Sequence, residues 1–167
     1  GSATAKGLGL ALNKPIISVP TLEGLACNFY GTDALICPMM DARRKQVYTG
    51  IYHLAGGTEF TELVAQEAGP VEDIIKKCNE FGQKLGKQVV FLGDGVPVYR
   101  DIIEEFCTVE HFYAPAHLSR QRAGAVAIRA VTLYEEGKAE PASEHAPIYL
   151  RKSQAERELE AKGKKLE

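Results

Sequence analysis

From Val71 onward, apolar residues recur every third or fourth position. Val71, Ile74, Ile75, Cys78, Phe81 and Leu85 fall on one side, with Pro70 just before them. That spacing predicts an amphipathic helix. In "RRKQVYTGIYHL" the period is two: Val47, Thr49 and Ile51 alternate with Tyr48, Gly50 and Tyr52. Alternation predicts a strand with two different faces. The preceding "DALICPMM" is continuously apolar and predicts a buried strand, with "DARRK" as the hairpin connection between the two. "GGTEFTELVA" predicts a third, antiparallel strand.

The same reading covers the rest of the chain. "SATAKGLGLAL" predicts a helix with Ser2 as its cap, ended by Asn13 and Pro15. "KPIISV" predicts a short buried strand. Thr21 is the expected cap of a second helix carrying Leu22, Leu25, Ala26 and Phe29. "KQVVFLGDG" is a strand running into a glycine turn. A helix with Tyr99, Ile102, Ile103 and Phe106 follows, starting near Pro97. "VEHFYAP" is another short strand. "HLSRQRAGAVAIRAVTLYEEGK" predicts a long, Ala-rich helix, expected to be buried on most sides, with Gly137 as its stop. "AEPASEHAPIYLR" reads as an extended linker. Residues 151–167 alternate in charge and predict a solvated helix, with partner docking as the second reading. This order of elements is that of a mixed-sheet α/β fold.

The first helix has an anomalous composition. Ala3, Ala5, Gly7, Gly9 and Ala11 are all small, and each interior Gly costs about 1 kcal/mol relative to Ala. Small residues let a second element come close. They serve equally for packing inside the fold and for a helix–helix contact with another protein.

Composition narrows the function classes. The 167 residues are 45% hydrophobic and 25% charged, with a net charge of −2. Nothing global draws the chain to nucleic acid or an anionic membrane. Cys27, Cys37, Cys78 and Cys107 have no CxxC spacing, so free thiols of a reducing cytoplasm are expected. His53, His111, His117 and His145 are scattered, which gives a metal site no support.

Three stretches invite chemistry. In "FLGDGVPVYR", Gly93, Asp94 and Gly95 sit where a strand meets a helix. Such a junction can present N–H groups to an anion or nucleotide, although no P-loop lysine follows. Arg43 and Arg44, with Lys45, could clamp an anion or stand as a solvated hairpin tip, with Asp41 starting the turn. His117, Ser119, Arg120 and Arg122 open the late helix, where Ser119 is expected to be a cap and not a nucleophile. No carboxylate pair, Cys/His dyad or metal cluster stands out, so the residues themselves imply no catalytic group.

"ATAKGLGLALNKPIISVPTLEGLA", "DARRKQVYTGIY", "FLGDGV" and "PIYLRKSQAERE" occur in series. Together they resemble the TsaB (YeaZ) family of bacterial tRNA threonylcarbamoyladenosine biosynthesis proteins. The resemblance implies a two-lobed actin/sugar-kinase/Hsp70-like (ASKHA) α/β fold and a C-terminal portion of such a protein, lacking upstream strands of the first lobe. It implies residues 1–32 as a remnant of that lobe, 33–117 as the second lobe, 118–150 as a return to the first, and 151–167 as a charged tail. The implied role is a non-catalytic cytoplasmic scaffold. It would bind a TsaD-like catalytic subunit, help recruit a TsaE-like ATPase, be able to form a homodimer, and touch tRNA only indirectly. No cofactor is intrinsic; ATP and a metal ion belong to partner subunits. The implied partner interface is Ala3, Thr4, Gly7, Leu8, Ala11, Leu12, Leu22 and Leu25. The alternatives are an ATP-binding kinase or ATPase of the same fold group and, with weaker support, a glycoprotease-like peptidase.

Overall fold

A computed structural model describes residues 1–56 and 59–150. The first helix, α1, spans Ser2–Leu12. Gly1, not Ser2, occupies its cap position, and no side chain bonds to the free amides. The Gly1 carbonyl already accepts the Ala5 N–H at 3.0 Å, which draws Ser2 into the first turn. Asn13 ends the helix in the left-handed region at φ 49°, a conformation its short amide side chain tolerates. Strand β1 is Ile16–Ile17. Helix α2, Thr21–Ala26, is capped by Pro20 and not by Thr21, then tightens into a 3-10 turn at Cys27–Phe29.

A five-stranded sheet follows. β2 (Leu35–Asp41), β3 (Gln46–His53) and β4 (Thr61–Pro70) form an antiparallel meander. β5 (Val89–Leu92) lies parallel to β2, and β6 (His111–Tyr113) parallel to β5. The order across the sheet is β4-β3-β2-β5-β6. Alternation sorts the two faces. Leu35, Cys37, Met39, Val89 and Phe91 join one core, with Ile74 and Ile75 of α3 (Val71–Leu85) and Ile103 of α4 (Gly95–Phe106). Ile36, Val90 and Leu92 point the other way into a second core, with Leu22, Leu25 and Ala26 of α2. The central strands are buried on both faces, which explains why their sequences run apolar without a break. α4 starts at Gly95, two residues before Pro97.

The chain closes with α5 (Ala123–Glu135) and β7 (Ala139–Glu140), which pairs antiparallel with β1 in the segment expected to be an extended linker. Two expectations fail here. α5 is shorter than its composition suggests, because a 3-10 turn at Ala116–Leu118 and a loop precede it. It is also not buried on most sides. Ala125, Arg129 and Leu133, four residues apart, face the protein, whereas Val126, Ile128, Val131 and Tyr134 are exposed. Gly137 stops the segment at φ 75°, as expected. The charged stretch 151–167 lies outside the described residues.

Candidate functional site

α1 has two faces with separate tasks. At 100° per residue, Ser2, Lys6 and Gly9 share the inner side. Ala3, Thr4, Gly7, Leu8, Ala11 and Leu12 share the outer side, and Gly9 is the helix's buried residue. The outer residues are exposed: Leu8 is 59% and Leu12 66% accessible, and Leu10 beside them is 59%. Among the described residues, nothing beyond Gly7's own stretch of helix lies within 4 Å of a Cβ built on it. An exposed helix flank with leucines and an open glycine is a surface that a second helix can approach closely.

The inner side is clamped to the segment after β7. Lys6 Nζ donates to the Ser143 carbonyl at 3.2 Å and the His145 carbonyl at 2.8 Å. Gly9 lies against Ala142, Lys14 and Ile16, with no room for a side chain. The Ser18 hydroxyl reaches Glu140 Oε1 at 2.5 Å, and His145 Nδ1 lies 2.8 Å from that same oxygen. The Glu140 carboxyl is held below its ordinary range, first by the Ser18 hydroxyl and then by His145. These contacts fix α1 and leave its outer side presented.

Leu22 and Leu25 correct the sequence expectation. They are 1% and 0% accessible and belong to the core beneath the sheet, so neither side chain faces a partner. Their helix is tied to α5 by a buried ion pair, Arg129 Nε to Glu23 Oε2 at 2.6 Å. The Arg129 guanidinium also lies 3.9 Å from the centre of the Phe60 ring and 3.5 Å from Glu136 Oε1. Burial raises the Glu23 carboxyl above its ordinary value in spite of Arg129, whose hydrogen bond and charge pull it down. Desolvation outweighs the partner here.

The glycine turn after β5 is a structural junction. Gly93, at φ 106°, is so close to the Met39 carbonyl that no other residue fits. Its N–H donates to Ser119 Oγ at 3.1 Å. Ser119 is therefore not a helix cap, and the Gly93 amide is not free for an anion. Asp94 Oδ1 accepts the Asp41 N–H at 3.2 Å, which places a carboxylate at the turn. Asp41 in turn accepts the Tyr99 hydroxyl and the Arg43 N–H, both at 2.7 Å. Asp94, Asp41 and Arg43 are thus brought to one end of the sheet. Gly95 packs against the backbone of Met39 and Asp41. Arg43, Arg44 and Lys45 form the exposed tip in three consecutive left-handed conformations, at φ 62°, 56° and 57°.

Among the described residues, no three His, Cys, Asp or Glu side chains converge as metal ligands would. No helix among them is long and apolar enough to cross a membrane. The groups that sequence reasoning missed are long-range ones. Ser18 and Glu140 lie 122 positions apart and Glu23 and Arg129 lie 106 apart. No local spacing signals either contact.

Residues 1–159 match the family model described as TsaD: tRNA N6-adenosine threonylcarbamoyltransferase. The tRNA threonylcarbamoyladenosine biosynthesis protein TsaB of Bacillus subtilis (strain 168) is 32% identical over 156 residues. The match takes in 93% of this chain and 64% of that protein, so the chain spans just under two thirds of that relative's length. Two solved structures share the fold. One is a Pseudomonas aeruginosa protein described as uncharacterized, with similarity to peptidase YEAZ. It has a TM-score of 0.67 at 23% identity, over 90% of this chain and 65% of the other. The second is YeaZ from Pseudomonas aeruginosa, with a TM-score of 0.66 at 23% identity, over 89% and 66%. The mixed sheet with flanking helices is the α/β, ASKHA-like architecture expected of such proteins. On these matches the chain belongs to the family described as TsaD, tRNA N6-adenosine threonylcarbamoyltransferase, and is similar to proteins named TsaB and YeaZ.

Proposed function

We propose that this chain is the partner-binding portion of a TsaB-type, non-catalytic subunit in tRNA threonylcarbamoyladenosine formation. It docks on a TsaD-like catalytic subunit through the outer side of α1. The single observation that carries this reading is the exposed flank of Ala3, Thr4, Gly7, Leu8, Ala11 and Leu12, held in place by contacts on the opposite side of the same helix. The relationship to TsaB and the match to the TsaD family model support the pathway. A TsaE-like ATPase joins through the complex, and ATP and a metal ion bind in the partner subunits. Contact with tRNA is indirect, consistent with a net charge of −2. In the absence of a partner, the same flank pairs with a second copy of the chain.

The test is size-exclusion chromatography of the full-length protein with a TsaD-like subunit, followed by assay of modified tRNA. Gly7→Arg and Ala11→Arg, both pointing outward, are expected to abolish co-elution and leave the circular dichroism spectrum unchanged. Retained co-elution with both variants would end this reading. Tight binding of ATP and Mg²⁺ by the protein alone, measured by calorimetry, would favour a kinase or ATPase.

A further inference from the structure

Between α1, β1 and the segment after β7 lies a cavity of about 480 Å³, a size that suits a small organic ligand. Its walls include Ile16, Val19, Leu22, Met40 and Tyr48, and no lysine, arginine, aspartate or glutamate lines it. An anion such as a phosphate would lose its water there without gaining a cation. His145 and Ser18 also line it and provide its polar corner.

The hydrogen bonds at that corner determine where the proton sits. Ser18 Oγ, Glu140 Oε1 and His145 Nδ1 form a triangle with sides of 2.5, 2.8 and 2.9 Å. A carboxylate has no proton to give. If Nδ1 carried a lone pair, it would face the Glu140 oxygen with no proton between them. With Ser18 donating to Glu140 and Nδ1–H donating into the same pair of oxygens, every contact is satisfied. The proton is therefore on Nδ1. A hydrolytic triad is ruled out as well, because serine and carboxylate meet the same ring nitrogen, whereas general-base catalysis needs them on opposite ones. What the ring has left is Nε2, which in the neutral imidazole is a lone-pair acceptor, has no partner among the described residues, and is oriented by a carboxylate on the ring's far side.

We infer that this cavity is a binding site for an uncharged aromatic molecule carrying an N–H donor, with the ring in the apolar walls and the N–H on His145 Nε2. The site does not depend on the partner-binding role of α1. Indole is the probe, and 1-methylindole, which has the same shape without the N–H, is its control. Two-dimensional NMR of the chain is expected to show saturable binding of indole, with its largest perturbation at His145 Nε2. Affinity for indole should exceed that for 1-methylindole about tenfold, as one hydrogen bond supplies. His145→Phe keeps the walls apolar and should equalise the two ligands. Long-range proton–nitrogen correlation of the unmodified chain, which needs no variant, should show the Nδ1–H tautomer. Equal affinities in the unmodified protein, or an Nε2–H tautomer, would overturn the inference.

Discussion

A Cβ built on Gly9 would lie 2.7 Å from the Cβ of Ala142. The small residues of α1 therefore divide into two groups. Gly9 is small for the sake of the chain's own packing, whereas the space around Gly7 is open. The packing reading of the composition holds on the inner side of the helix, and the outer side at Gly7 is open. Gly9→Ala is expected to cost about 1–3 kcal/mol through overpacking. Gly7→Ala should add up to about 1 kcal/mol through helix propensity. Urea denaturation of the two variants checks the contrast, and shifts of the same sign would contradict it.

Arg129 and Glu23 form a buried pair whose members cannot be removed singly at low cost. Arg129→Met leaves the Glu23 carboxylate without its 2.6 Å partner and should destabilise by about 3–5 kcal/mol. Adding Glu23→Leu should recover most of that loss, because an apolar pair of similar size is often nearly neutral. Glu23 has a raised carboxyl in the folded state. Its contribution is thus complete below the ordinary value of 4.5 and is lost as pH rises through the raised folded value. The double variant should lack that slope in a pH series of thermal melts.

Tyr99 and Asp41 shift each other in opposite directions. Asp41 is held below its ordinary 3.8, first by the Tyr99 hydroxyl and then by the Arg43 N–H. Its stabilisation is present above 3.8 and fades as pH falls from there through the depressed folded value. The Tyr99 hydroxyl, raised from 10.0 to about 12 chiefly by burial and next by Asp41, behaves in the mirror sense. Its contribution is complete below pH 10.0 and is lost as pH rises toward 12. Tyr99→Phe should flatten both the acid and the alkaline limbs of a stability–pH curve. A curve that keeps its acid limb would remove Tyr99 as its cause.

The tip formed by Arg43, Arg44 and Lys45 holds three non-glycine residues at positive φ, each at a cost of about 1 kcal/mol. Arg44→Gly should relieve that strain and, after the added freedom of the unfolded chain, gain about 0.5 kcal/mol. Chemical denaturation measures it; a loss of stability would mean that the Arg44 side chain makes a stabilising contact.

Elements with a local cause were legible in the sequence. The three-to-four spacing in α3 placed Val71, Ile74, Ile75 and Cys78 in the core, and the meander followed from alternation and the "DARRK" turn. Which side of α1 is exposed was not legible from spacing, because small residues serve internal packing and external contact equally; only the family resemblance singled out Ala3, Gly7 and Ala11. Capping was misread wherever a backbone neighbour took the role. Ser2 and Thr21 look like caps, but Gly1 and Pro20 occupy those positions, and the Ser119 hydroxyl reaches Gly93 instead. α5 misled for another reason. An Ala-rich apolar helix suggests burial, but composition does not say whether the neighbours on each side are present. Leu22 and Leu25 were drawn toward the surface by their nearness in sequence to α1, whereas their packing belongs to the sheet.

The two-residue ladder of β1 and β7, with the Ser18–Glu140 bond beside it, closes a loop of more than a hundred residues. The entropy of such a closure is recovered only after the intervening chain has been ordered. The clasp is therefore a late event in folding and the first to open. Amides of the central sheet should exchange with solvent slowly, in the global unfolding regime, while those of β1 and α1 exchange through a lower-energy partial opening. Helix α1 thus rests on the last-formed seam of the molecule, and anything that grips it would tighten that seam first.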